Sequence, residues 1–348
     1  MLKHDKQITL FLEQLHNYGV KDFVISPGSR STPLVNNILN NKDKFNPTLI
    51  LDERSAAYYA LGISKKTKHP AVLICTSGTA TLNYSPAIAE AYYSKIPLII
   101  ITADRPMYLR DTGSNQTLYQ NNIYQNNINW FYDIPISEKE SFISNIAFKA
   151  LTHSISFPKG PVHINWQFEE PFTDGKLEKI QTRKFKEKID EGLQTFSDTA
   201  QISSFIKKIK NKKGVILVGA TDENTNEILR FSKILNWPII ADPLSNLRIS
   251  KNYDENVIID TGDIIYRTNN LKNIPEAVIH IGTLPVSKHI AKSFESAKTH
   301  VFLEKSARVS EGFFNISLHL RMGISNIIDE INKTMKNSEK IKDRKSVV

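Results

Sequence analysis

The sequence predicts an α/β fold made of two doubly wound, parallel-sheet domains. Three observations carry this. Continuous apolar segments such as AVLICT (Ala71–Thr76) and PLIIIT (Pro97–Thr102) alternate with amphipathic segments through the first 130 residues, the pattern of a parallel sheet covered by helices on both faces. Four polar segments, SPGSRS, DERSA, TSGTA and TADRP, each follow directly on such a strand. The carboxyl ends of the strands are where open α/β sheets bind ligands. A second alternation begins beyond a charged stretch from Asp174 to Asp190, and 348 residues are enough for two domains.

The elements follow in order. An amphipathic helix runs from about Lys6 to Tyr18, and a strand covers Asp22–Ser26. The next helix opens near Ser31 with Pro33 in its first turn, where the missing N–H has no helical partner to lose. A strand at Thr48–Leu51 leads into a helix from Glu53 to Lys65. The strand Ala71–Thr76 leads through Ser77-Gly78-Thr79 into one helix ending near Ser94, and the strand Pro97–Thr102 follows. From Tyr108 to Trp130 the chain is rich in Asn and Gln and lacks periodicity. It reads as a long loop, and loops of that length in compact domains are often functional. A helix at about Glu138–His153 and a strand at Gly160–Asn165 complete a first domain, residues 1–173.

Residues 174–198 read as a linker, and 199–336 as a central α/β domain. Its strands are GVILVGA (Gly214–Ala220), WPIIADP (Trp237–Pro243), EAVIHIG (Glu276–Gly282) and THVFLEK (Thr299–Lys305), with helices ending near Leu235, following Gly282, and from about Ile324 to Met335. The lysine-rich residues 337–348 read as a disordered tail.

Composition narrows the function. Mean hydropathy is −0.31 and no apolar run reaches membrane-spanning length. The N-terminus is amphipathic from the start and lacks a signal-type cleavage region. The one cysteine, Cys75, excludes a disulfide framework and a multi-cysteine zinc site, and a cytoplasmic location is expected. None of the nine histidines has a metal-ligand spacing with another, so no metal ligand is expected in this chain. The net charge of +9 gathers at Arg183–Lys188, Lys207–Lys213 and Lys333–Lys345. With no nucleic-acid signature beside it, this charge reads as solvated surface, and a positive field suits small anionic substrates.

The candidate residues sit on the four turns. In SPGSRS, Gly28 allows close backbone approach, while Ser29, Ser31 and Thr32 turn amides and hydroxyls toward an anion. Arg30 would grip a carboxylate through two N–H groups. The same residues also describe an ordinary capped helix with a surface arginine. Glu53 is a partner for a heteroaromatic ring nitrogen, or a first-turn acid favoured by the helix dipole with Asp52 as cap. Ser77-Gly78-Thr79 is a tight turn that serves a phosphate or close packing; it is neither a GxGxxG motif nor a P-loop. Arg105 follows a buried strand, with Asp104 as its expected partner, and Gln116 lies on the long loop. GVILVGA lacks dinucleotide-type glycine spacing and reads as packing.

VISPGSRSTPL, DERSAAYYALG, CTSGTATLNYSPAIAEAYYSKIPLIIITADRP, LRDTGSNQT and IIADPLSNLR, in that order, resemble the 2-succinyl-5-enolpyruvyl-6-hydroxy-3-cyclohexene-1-carboxylate synthases from about Lys6 to at least Arg248. These are thiamine-diphosphate transferases of menaquinone biosynthesis. The resemblance implies decarboxylation of 2-oxoglutarate and addition of the succinyl unit to isochorismate, giving the named product and CO2. It implies thiamine diphosphate with Mg2+ or Mn2+ as cofactors and a homo-oligomer, a dimer or dimer of dimers, with no nucleic acid or membrane partner. Glu53 matches the glutamate that hydrogen-bonds the aminopyrimidine ring. Ser29, Arg30, Arg105 and Gln116 match positions that contact the acidic substrates, and Ser77, Gly78 and Thr79 are assigned to the cofactor side. The resemblance makes residues 1–173 the aminopyrimidine-binding domain. It implies a third, diphosphate-binding domain with a Gly-Asp-Gly-like turn that this sequence lacks. The chain is therefore expected to be truncated and inactive alone. The alternatives are a dicarboxylate-binding or subunit-pairing module without catalysis, or another thiamine-diphosphate enzyme of the acetolactate-synthase kind.

Overall fold

The computed structural model describes residues 2–181, 199–209, 211–268, 275–295, 297–305 and 316–333. The expectations for Arg183–Lys188, for most of the linker and for the tail lie outside these residues. Two compact units divide the chain, Met1–Leu193 and Gln194–Val348.

In the first unit, α1 (Lys3–Asn17) buries Ile8, Phe11, Leu12 and Leu15, the i, i+3, i+4, i+7 stripe of an amphipathic helix. β1 (Asp22–Ile25) leads to α2 (Thr32–Asn40), with Pro33 in its first turn. β2 spans Asn46–Leu49, two residues ahead of the strand read from sequence. Pro47 looks like a strand breaker, but β2 is an edge strand, where a missing N–H is tolerated. α3 (Glu53–Thr67) and β3 (Ala71–Cys75) follow.

The single helix expected up to Ser94 is two: α4 (Thr79–Leu82) and α5 (Ser85–Tyr93). Pro86 has no N–H to continue an α-helix from the preceding turn, so the chain restarts at Ser85 with proline in the first turn. β4 (Leu98–Asp104) is buried along its whole length. The long loop ends in a strand absent from the sequence reading, β5 (Trp130–Ile134). It is a half-exposed edge strand without clean alternation. α6 (Glu140–Ile155) and β6 (Pro161–Gln167) close the unit.

The sheet order is β2-β1-β3-β4-β6-β5, with every pairing parallel. The chain therefore moves outward from β1 to β2 and returns to β3, which places the topological switch point between β1 and β3. One core lies under α1, α2 and α6 and another under α3 and α5. Each fully buried Val, Leu or Ile in these layers contributes about 1.5–3 kcal/mol.

The second unit repeats the plan. Its described elements are α7 (Thr199–Ile209), β7 (Gly214–Val218), α8 (Thr225–Leu235), β8 (Ile239–Ala241), β9 (Ile258–Ile259), α9 (Gly262–Arg267), β10 (Ala277–Ile281), α10 (Lys288–Phe294), β11 (Thr299–Leu303), β12 (Leu318–Leu320) and a helix over residues 324–333. The sheet order is β12-β11-β10-β7-β8-β9, again all parallel. The short β9 and β12, and α7 and α9, are additional to the sequence reading. No helix among the described residues is long and apolar enough to cross a membrane.

Candidate active site

The four polar turns of the first unit meet at the carboxyl edge of its sheet, around the switch point. After β1 the chain enters the Gly28 turn, closed by the Ser31 hydroxyl: the Gly28 N–H donates to Oγ at 3.1 Å and Oγ donates to the Gly28 carbonyl at 2.9 Å. A Cβ at Gly28 would stand 2.5 Å from the Cβ of Thr76, which follows β3. Only glycine lets the two turns touch. Ser29 is exposed on this turn.

Arg30 is not a free surface arginine. It is half-buried, its Nη1 donates to the Phe168 carbonyl at 2.6 Å, and its guanidinium lies 5.0 Å from the Phe172 ring centre. Its buried Nε has no hydrogen-bond partner among the described residues. Burial first, then the neighbouring Arg105, hold the guanidinium below its ordinary value.

Arg105 is buried behind the next turn. Its Nη1 donates to the Ser77 hydroxyl and, at 2.8 Å, to the Gln116 carbonyl. The Gln116 side-chain amide donates back to the Ser77 carbonyl at 2.9 Å. Ser77, Gly78, Arg105 and Gln116 therefore form one cluster, with Arg30 in electrostatic reach. Gly78 sits at φ +82°, and its N–H donates to Gln120 Oε1 at 2.8 Å. Thr79 is exposed at the start of α4.

Asp104 is not the side-chain partner of Arg105. It accepts the Arg105 backbone N–H at 2.7 Å, while its carboxylate pairs with Arg110 at 2.8 Å. Asp104 ends β4 and Arg105 begins the turn after it, and successive side chains of extended backbone point to opposite sides. Arg110, Gln120, Asp133, Asn165 and Gln167, none of them singled out from sequence, build the polar support under the cluster. Three of them, Asp133, Asn165 and Gln167, are polar residues inside strands, the one sequence signal that would have pointed to them.

Glu53 stands at a second point on the same edge. It opens α3 behind its cap Asp52, whose carboxylate accepts the Ser55 N–H at 2.7 Å. The described hydrogen bond to its own carboxylate comes from Asn83, at 3.4 Å, a residue the sequence reading did not select. Such a long bond leaves the carboxylate available to a ligand. Just before it in the chain, Leu49 and Leu51 are 64% and 77% exposed.

A separate cavity of about 580 Å³ opens beside His4, Met107, Tyr108, Gln167, Glu169 and Glu170. Its two glutamates disfavour a dicarboxylate there. Among the described residues no group of three His, Cys, Asp or Glu side chains is placed to hold a metal ion.

Residues 6–127 match the family described as thiamine pyrophosphate enzyme, N-terminal TPP binding domain. The 2-succinyl-5-enolpyruvyl-6-hydroxy-3-cyclohexene-1-carboxylate synthase of Enterococcus faecalis is 38% identical over 289 residues, 80% of this chain and 49% of its own length. Over residues 6–127 the chain is thus similar to thiamine pyrophosphate enzymes. Synthases of the same name from Bacillus pumilus and Lysinibacillus sphaericus are 38% and 39% identical, over 84% and 78% of this chain and 50% and 49% of theirs. The chain spans about half the length of the curated relatives it matches. The thiamine pyrophosphate match covers the strands and turns that carry Glu53, Ser77, Arg105 and Gln116.

Proposed function

We propose that this chain supplies the aminopyrimidine side and part of the substrate shell of a thiamine-diphosphate synthase. The reaction is decarboxylation of 2-oxoglutarate and addition of the succinyl unit to isochorismate, with release of CO2. Residues 1–173 are the aminopyrimidine-binding domain in this reading, 174–198 the linker, 199–336 the central domain and 337–348 the tail. The observation that carries it is the pairing of two partly desolvated guanidiniums, Arg30 with an unpartnered buried Nε and Arg105 on Ser77 and Gln116, with an available Glu53 carboxylate at a second point on the same sheet edge.

The residues present fit the cofactor's aminopyrimidine end: a carboxylate with one weak internal hydrogen bond can pair with a ring nitrogen. When bound, thiamine diphosphate supplies the electron sink that decarboxylation requires. Glu53 would hold the ring and could share a proton with its nitrogen through a carboxylate oxygen. Arg30 and Arg105 neutralise substrate carboxylates, where charge-assisted, two-point bonds are strongest. Gln116 and Ser29 complete the shell. Ser77 holds Arg105, and Gly78 and Thr79 lie toward the cofactor. Mg2+ or Mn2+ would accompany the diphosphate through ligands outside this sequence. The exposed Leu49 and Leu51 suit burial against a neighbouring subunit, and one cysteine suits a reducing, cytoplasmic compartment.

Calorimetric titration with 2-oxoglutarate tests the anion site. Arg30→Ala is expected to weaken binding about tenfold or more, as loss of a charge-assisted contact does. Unchanged affinity would remove Arg30 from the site.

A further inference from the structure

We propose that Arg110 is a positioning residue that keeps the Asp104 carboxylate away from Arg105, and so leaves the Arg105 guanidinium free for an anion. Asp104 is fully buried and directly precedes Arg105. An unneutralised carboxylate at such a site would draw the nearest cation to itself. The nearest cation in sequence is Arg105, and its charge does feel Asp104. Arg110 takes that place instead. Its side chain is 8% exposed, and its Nη2 lies 2.8 Å from Asp104 Oδ2. Both of its terminal nitrogens also reach the Asp133 carboxylate, at 3.2 to 3.3 Å.

Amide groups fix the two acids from the other side. Asn165 Nδ2 donates to Asp104 at 2.8 Å and to Asp133 at 2.9 Å, and Gln167 Nε2 donates to Asp133 at 3.0 Å. The guanidinium thus closes a largely buried network in which both carboxylates are satisfied without the Arg105 side chain. Arg105 is left with neutral partners, the Ser77 hydroxyl and the Gln116 carbonyl. Neutral partners orient a guanidinium without cancelling its charge. Arg110 also ties the start of the long loop to β4 and β5, and the same loop carries Gln116. The inference rests on the proposed function only for the identity of the anion.

The test compares wild type, Arg110→Met and the double variant Arg110→Met/Asp104→Asn by crystallography and by titration with 2-oxoglutarate. In Arg110→Met, Arg105 is expected to leave Ser77 and pair with Asp104, and 2-oxoglutarate affinity to fall about tenfold. In the double variant the competing charge is gone, so Arg105 returns to Ser77 and most of the affinity is restored. A structural role alone also predicts some recovery in the double variant, since it removes a buried unpaired charge, so the position of Arg105 in Arg110→Met decides between the two. The proposal is overturned if Arg105 stays on Ser77 in Arg110→Met, or if the double variant binds no better than the single. Should wild type fail to bind 2-oxoglutarate, the anion-site reading falls, and the position of Arg105 in the crystals still decides the role of Arg110.

Discussion

At the scale of single residues, the site depends on side chains that can approach because others are missing. A Cβ at Gly78 would stand 2.7 Å from Gln116 Cγ and 2.8 Å from its carbonyl oxygen, and the backbone there is left-handed. Gly78→Ala is therefore expected to cost about 1–3 kcal/mol and to push Gln116 off Arg105. Thermal unfolding checks the first effect and 2-oxoglutarate titration the second; a variant as stable and as competent as wild type would show the contact to be soft. The sequence exposed Arg30, Glu53, Ser77, Arg105 and Gln116 because each lies on a turn directly after an apolar strand or on the long loop that follows one. It hid the partners. Nothing in a one-dimensional pattern says that Arg110 takes Asp104 while Arg105 does not, or that Asn83 reaches Glu53 across thirty positions.

At the scale of elements, central strands were legible and edges were not. β3, β4 and β6 are buried along their whole length, and β3 and the first part of β4 are unbroken apolar runs. β5 and β9 are edge strands with mixed exposure, and β2 starts at an Asn-Pro pair that reads as a turn. The α4–α5 break was hidden because Pro86 sits in a first helical turn, where proline is common. Between β4 and β6 the structure sets a pH limit. His163 is fully buried, accepts or donates one hydrogen bond with Thr102 at 2.7 Å, and lies 4.7 Å from the Tyr124 ring and 5.2 Å from the Phe131 ring. Burial pushes the imidazole down to about 3. Unfolding restores the ordinary value of 6.5, so between these limits the unfolded chain binds a proton that the folded chain refuses. Stability therefore falls as pH drops from about 6.5 toward 3, by on the order of a few kcal/mol over the window. Urea unfolding across that range is expected to show a steeper loss for wild type than for His163→Leu. Parallel slopes would place the acid sensitivity elsewhere.

At the scale of the whole molecule, the chain pairs two α/β units of like plan, and the sites argued above all belong to the first. It spans about half the length of the synthases it resembles, and in the proposed function the diphosphate and metal are held outside this first unit. The central claim is that the first unit is one side of a thiamine-diphosphate site, with Glu53 on the aminopyrimidine. The most direct measurement is calorimetric titration of thiamine diphosphate and Mg2+ into the chain mixed with the unmatched remainder of the Enterococcus faecalis relative, with wild type and Glu53→Gln side by side. The account predicts binding by the wild-type mixture and affinity lower by about tenfold or more with Glu53→Gln, the scale of a hydrogen bond to a charged group. Equal affinity for the two would contradict it.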